Sequence, residues 1–135
     1  MSMEKDEQTR IEITTENLKD YLPKGWFVIN EKQSAGLLAE LQKELPIGHL
    51  LYGKSLKVIA DRDEATDDIL CQDENNLKRF IVIHLTWSGK TEKSITCPYV
   101  ECDGSFNDFL EYEISMSSST KTRQAIQAIY LKINQ

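Results

Sequence analysis

Apolar and polar positions are packed most densely over residues 79–90, RFIVIHLTWSGK. At a period of two, Arg79, Ile81, Ile83, Leu85 and Trp87 point one way, and Phe80, Val82, His84 and Thr86 the other. Both sets are mostly apolar, so the pattern predicts a central strand over 79–87, covered on both faces. Its polar groups gather at the C-terminal end, where a sheet delivers side chains to a surface site.

Around this strand the pattern alternates between helix and sheet. Thr14 or Thr15 can cap a short helix through Asn17, Leu18 and Tyr21, stopped at Pro23-Lys24-Gly25. Trp26, Phe27, Val28 and Ile29 form an apolar cluster expected to anchor this segment to the core. Asn30 followed by Gln33 is a capping-box spacing, and Leu37, Leu38, Leu41 and Leu45 then form one helical stripe. Pro46 and Gly48 end that helix, and Gly36 within it is expected to mark a close approach to the sheet.

Strands are then predicted at 49–52, 56–61 and 67–72, with a turn at 73–76. After the long strand comes another at 94–101, and then a turn at 103–105. Ser105 can cap a helix carrying Phe106, Phe109, Leu110 and Ile114. A serine-rich linker over 116–120 precedes a helix at 121–133, where Ile126, Ile129, Tyr130 and Ile133 share a face. Helices, then a meander, then helices predict an α+β fold: an antiparallel β-meander of four to five strands packed against N- and C-terminal helices.

Length and composition narrow this picture. The 135 residues suit one domain that buries roughly two-thirds of its unfolded surface. Residues 1–12 are polar and expected to form a flexible arm, leaving 13–135 as the domain. A formal net charge of −6, with 16 basic residues scattered among 22 acidic ones, gives no basic stripe for phosphates. No nucleic acid and no anionic membrane is therefore expected as a partner, whereas a basic protein partner fits. No apolar run approaches the ~20 residues of a membrane span, and the charged start MSMEKDEQTR lacks the apolar region of a signal peptide. With three cysteines, an odd number, reduced thiols in a cytoplasm are the expectation.

Three constellations carry candidate chemistry. Asp61, Asp63, Glu64, Asp67 and Asp68 surround Arg62 in DRDEATDD. Hard cations favour such oxygen ligands, but the glycine and ligand spacing of an EF-hand are missing. A solvated loop is the simpler reading, with Asp67 and Asp68 at a strand entrance facing a cationic ligand or partner. His84, with Thr86 and Trp87, is the second constellation. A histidine there can act as general base or ligand, or sit half-buried on a carboxylate as a structural residue; Trp87 is expected to be core. The third is Cys97 and Cys102 in CPYVEC, whose spacing and lack of a second close pair argue against zinc. No metal and no cofactor is expected. A nucleophile elbow, a P-loop, a dinucleotide fingerprint and a zincin helix are all missing from the sequence.

The segments GHLLYGKSLKVIADRDEATDDIL and RFIVIHLTWSGKTE, the proline at 98 and an aromatic-bearing helix near the end resemble a group of small bacterial proteins. The likeness covers residues from about Pro46 to Phe109, and HLTWSGKTE is its most specific part. Cys97 stands where the group has tryptophan. The resemblance implies a single bacterial cytoplasmic domain and brings no activity. It singles out Asp67, Asp68, His84, Thr86, Trp87 and Glu92 as binding residues.

The expected function is a non-catalytic acidic protein-binding domain, of the kind an immunity protein or antitoxin is, presented to a basic partner. The alternative is a small enzyme or ligand-binding domain with His84 as base and Asp67 or Asp68 orienting it. The oligomeric state is open.

Overall fold

The computed structural model describes residues 10–62 and 67–135. Its centre is a five-stranded sheet in the order β1-β2-β3-β4-β5, every neighbouring pair antiparallel. The strands are β1 (Trp26–Val28), β2 (Leu56–Arg62), β3 (Asp68–Asp73), β4 (Asn76–His84) and β5 (Tyr99–Gly104). The predicted α+β meander is therefore present, with β1 added at one edge from what the sequence suggested was only an apolar anchor.

Helix α1 (Glu31–Glu44) covers one face of the sheet. Leu41 and Leu45 pack there with Val58, Ile69, Cys71, Ile81, Ile83 and Leu85. The other face is covered by α2 (Phe106–Met116) and α3 (Thr120–Asn134), which bury Phe106, Phe109, Leu110, Ile126 and Ile133 against Leu70, Phe80 and Val82. Both faces of β4 are thus apolar because both are covered. Edge-to-face pairs, Phe80 with Phe106 at 5.2 Å and Trp26 with Phe109 at 5.5 Å, tie the sheet to α2.

The helix ends follow local chemistry. Asn30 accepts from the Gln33 amide while the Gln33 side chain returns to the Asn30 amide, and Ser105 with Asp108 repeats this reciprocal cap. Ser119 caps α3, so the serine-rich linker shrinks to the three residues between α2 and α3. Arg10 and Ile11 both donate to the Ile133 carbonyl, at 2.8 and 3.0 Å, joining the chain before β1 to the end of α3.

Several expectations are corrected. Residues 49–52 form turns, not a strand. Gly48 and Gly53 take left-handed backbone angles, φ +99° and +77°, and the His49 ring accepts from the Leu51 amide, which curls the segment. Gly36 approaches nothing; Ser34 makes the contact between α1 and the sheet, donating to the Val58 carbonyl at 2.7 Å. The strand expected at 94–101 begins only at Tyr99, and Asp103 and Gly104 belong to it. Strand β4 ends at His84, so Thr86 and Trp87 have left the sheet.

Two bulges decide which side chains share a face. Val58 pairs with Cys71, yet Ala60 pairs with Leu70, so Ile59 is an extra residue in β2. Were Ile59 an ordinary paired residue and the strand unbulged, alternation from Val58 would turn Asp61 toward α2 and α3, and Arg62 toward α1. A second shift, Val82 with Cys102 but Ile83 with Val100, makes Glu101 the extra residue of β5. Among the described residues no helix is long and apolar enough to cross a membrane.

Candidate functional site

The two bulges deliver Arg62 and Glu101 to one end of the sheet, beside the cross-strand pair Asp68 and His84. Asp68 Oδ1 lies 2.8 Å from His84 Nδ1, and Asp68 Oδ2 accepts from Arg62 Nε at 3.1 Å. The rest of the Arg62 guanidinium forks onto Glu113 of α2, at 3.2 and 2.7 Å, and its centre lies 4.4 Å from the Trp26 ring centroid. Glu101 Oε2 is 4.0 Å from His84 Nδ1, while its Oε1 accepts a short hydrogen bond from the Tyr112 hydroxyl of α2.

Asp68 and Glu113 are buried, whereas 45% of the His84 side chain is exposed. The hydrogen bond from His84 Nδ1 to the Asp68 carboxylate raises the His84 pKa above its ordinary value, against the opposing effect of burial; the charges of Asp68, Glu101 and Asp67 add to the rise. Burial pushes the Arg62 pKa down, but Glu113 and then Asp68 outweigh it. Burial, then the Glu101 bond, pushes the Tyr112 phenol well above its usual range. Chemically this is a half-exposed imidazole fixed by an anchored carboxylate, with a second carboxylate close by. The expected bond between His84 and Asp68 is thus present. A cleft of about 350 Å³ beside Asn30, Ser34 and Val58 is lined by none of the residues in this network.

Thr86, Trp87 and Glu92 belong to a different arrangement, on the α1 side. Glu44, fully buried at the end of α1, accepts from the Thr86 amide at 2.9 Å and from the Trp87 amide at 2.8 Å. Glu40, one turn earlier, accepts from the Gly89 amide at 3.0 Å. The Thr86 hydroxyl donates to Glu92 at 2.7 Å, and the Glu92 amide donates to the Glu44 carbonyl at 3.0 Å. Trp87 is held at φ 57°, a left-handed conformation costing a bulky residue about 1–2 kcal/mol. Contrary to expectation its side chain is not core: the residue is 53% exposed. Burial, then hydrogen bonding with Glu40, raises the Glu44 pKa. Glu40 is lowered by its bond with Glu44 and then by the Gly89 amide.

The six residues singled out in the sequence therefore divide. Asp68 and His84 meet on one face, and Thr86, Trp87 and Glu92 share a loop on the other. Asp67 is exposed between them, its carbonyl accepting from the Leu85 amide at 3.0 Å. Asp63 and Glu64 lie outside the described residues. His49 is buried, with Nδ1 accepting from Leu51 and Nε2 at 2.8 Å from the Pro98 carbonyl, so it pins two loops together. Cys71 packs with the α1 side and Cys102 with the α2 side, and burial pushes the Cys102 thiol up to about 11.

Arg62, Glu101, Tyr112 and Glu113 are the site residues that sequence reasoning missed. The signal for Arg62 was its place among carboxylates; nothing in the local pattern announced the bulges. Comparison with protein-family models, curated proteins and solved structures gives no match to this chain.

Proposed function

We propose that this chain is a non-catalytic protein-binding domain of the cytoplasm, whose contact surface is built from the loops at 46–55 and 85–98. The observation that carries this reading is a concentration of exposed apolar surface. Eleven large hydrophobic side chains are exposed among the described residues, and five of them, Ile47, Leu50, Tyr52, Trp87 and Ile95, stand on these two loops. Side chains scattered singly need no explanation, but apolar residues gathered on adjoining loops mark interaction surfaces.

The loops are held to each other rather than hanging free. His49 reaches the Pro98 carbonyl, the Glu92 amide bonds the end of α1, and Gly48 packs close against Ile95. A half-exposed indole on such a rigid support loses little conformational freedom on binding, as interface hot spots require. Lys43, Lys90 and Lys93 stand on or beside the same loops, so the attraction of a basic partner comes from the overall charge of −6 rather than from a local acidic rim. An inhibitor of a basic protein, as immunity proteins and antitoxins are, fits this combination.

The test is capture from a lysate of the source organism by the immobilised chain, beside a Trp87→Ala/Ile95→Ala variant. Both residues are exposed, so the fold should stay within about 1 kcal/mol of the original, which a thermal melt checks. A basic protein held by the parent and lost by the folded variant is the expected outcome. The same proteins on both, or none on either, contradicts the reading.

A further inference from the structure

The face of the sheet opposite the Trp87 loop gathers a second kind of chemistry. One ligand atom from each of Asp68, His84 and Glu101 lies within 4.8 Å of the others. The three stand on β3, β4 and β5, and one nitrogen with two oxygens is a donor set that divalent transition metals accept. At metal–ligand distances of about 2.0–2.2 Å, neighbouring donors sit roughly 3–3.5 Å apart. His84 Nδ1 is 2.8 Å from Asp68 and 4.0 Å from Glu101, so modest side-chain rotation reaches that spacing.

The outer contacts point the same way. Each carboxylate uses one oxygen to hold its orientation: Asp68 Oδ2 on Arg62, Glu101 Oε1 on the Tyr112 hydroxyl. The other oxygen of each is the one facing His84. Orientation of ligands by outer partners is what metal sites need. An imidazole kept only for structure would be satisfied by Asp68 and would require no bulge that turns Glu101 toward it. The charge also fits. With His84 neutral, Asp68, Glu101 and Glu113 against Arg62 leave two negative charges, which a divalent ion neutralises.

We propose that Asp68, His84 and Glu101 form a binding site for one divalent transition-metal ion of the zinc class. The remaining coordination positions open to solvent on the exposed side of His84. Loading displaces the Nδ1 proton shared with Asp68: the imidazolium releases it to solvent and His84 remains a neutral ligand protonated on Nε2. This site is independent of the apolar loops and stands or falls separately from them.

The experiment is a zinc titration of the full chain against a chromophoric chelator near neutral pH, repeated with cobalt(II) for its visible spectrum. One equivalent should bind with a dissociation constant below about 100 μM, with a cobalt spectrum lacking thiolate bands. His84→Ala and Glu101→Gln should each weaken binding at least ~10-fold, with folding confirmed by circular dichroism. Cys97→Ser/Cys102→Ser and Trp87→Ala should bind as the parent does. Less than half occupancy at about 100 μM free zinc, undiminished binding by folded His84→Ala or Glu101→Gln, or loss in the cysteine variant overturns the proposal.

Discussion

Two groups of carboxylates flank the end of β4, and they differ in what they hold. On the α2 side, Asp68, Glu101 and Glu113 bond to side chains: Arg62, His84 and Tyr112. On the α1 side, Glu40 and Glu44 bond to backbone amides of Thr86, Trp87 and Gly89. Backbone amides cannot swing away, so the second group fixes the course of a loop and has little capacity left for a ligand. Side-chain partners can rotate and exchange a proton, so the first group remains open to substitution. Residue type alone does not separate the two; the kind of donor does.

The sharpest way to break this comparison is at Arg62. Arg62→Ala leaves Asp68 and Glu113 buried without their cation, and should cost about 3–5 kcal/mol in urea unfolding. A loss below ~1 kcal/mol would mean that the α2-side network is not a coupled buried unit. Glu44→Ala comes next. It strands the Thr86 and Trp87 amides, each worth about 1–3 kcal/mol when buried without an acceptor, and should change Trp87 fluorescence while leaving the His84 ring signals in place. Movement of both would erase the separation of the two regions.

His84→Ala should be milder, about 1 kcal/mol, because the ring is half-exposed and Arg62 continues to hold Asp68. A cost matching that of Arg62→Ala would make His84 a structural keystone instead of an open site.

The smallest effect concerns pH. The folded pKa of Glu44 is raised above 4.5, so the folded chain keeps a proton there that the unfolded chain has lost. The stability from that proton is full below pH 4.5 and is lost as pH rises through the raised value. Glu40 is lowered, so its contribution has the opposite sign and disappears on acidification below 4.5. Glu40→Gln retains an acceptor for the Gly89 amide and removes the carboxylate facing Glu44. Its urea midpoint should therefore fall less than the parent's between pH 4.5 and 8. Parallel curves would show that the two acids do not share a proton.

Much of the fold could be read in the chain because its signals are local. Asn30 with Gln33, Ser105 before Phe106, and the Asp73-to-Asn76 turn each act within four residues. What failed required distant partners. Residues 49–52 have strand composition, but His49 prefers a hydrogen bond to the Leu51 amide and two flanking glycines bend the chain. Trp87 continued the alternation of β4 on paper, but Glu44, 43 residues earlier in the chain, draws its amide out of the sheet. The site was half legible. Asp68 and His84 fall where period-two counting puts them, whereas Arg62 and Glu101 follow bulges that break the count. Glu113 and Tyr112 arrive on a helix about 30 residues downstream of His84.

The central claim is that Glu40 and Glu44 hold Trp87 rigidly on display, and amide hydrogen exchange at Thr86, Trp87 and Gly89 tests it most directly. In the native chain these three amides should exchange at least ~100-fold more slowly than an unstructured loop, with Glu44→Ala abolishing that protection at Thr86 and Trp87. Exchange at the unstructured rate in the native chain, with α1 and β4 protected as usual, would contradict the account.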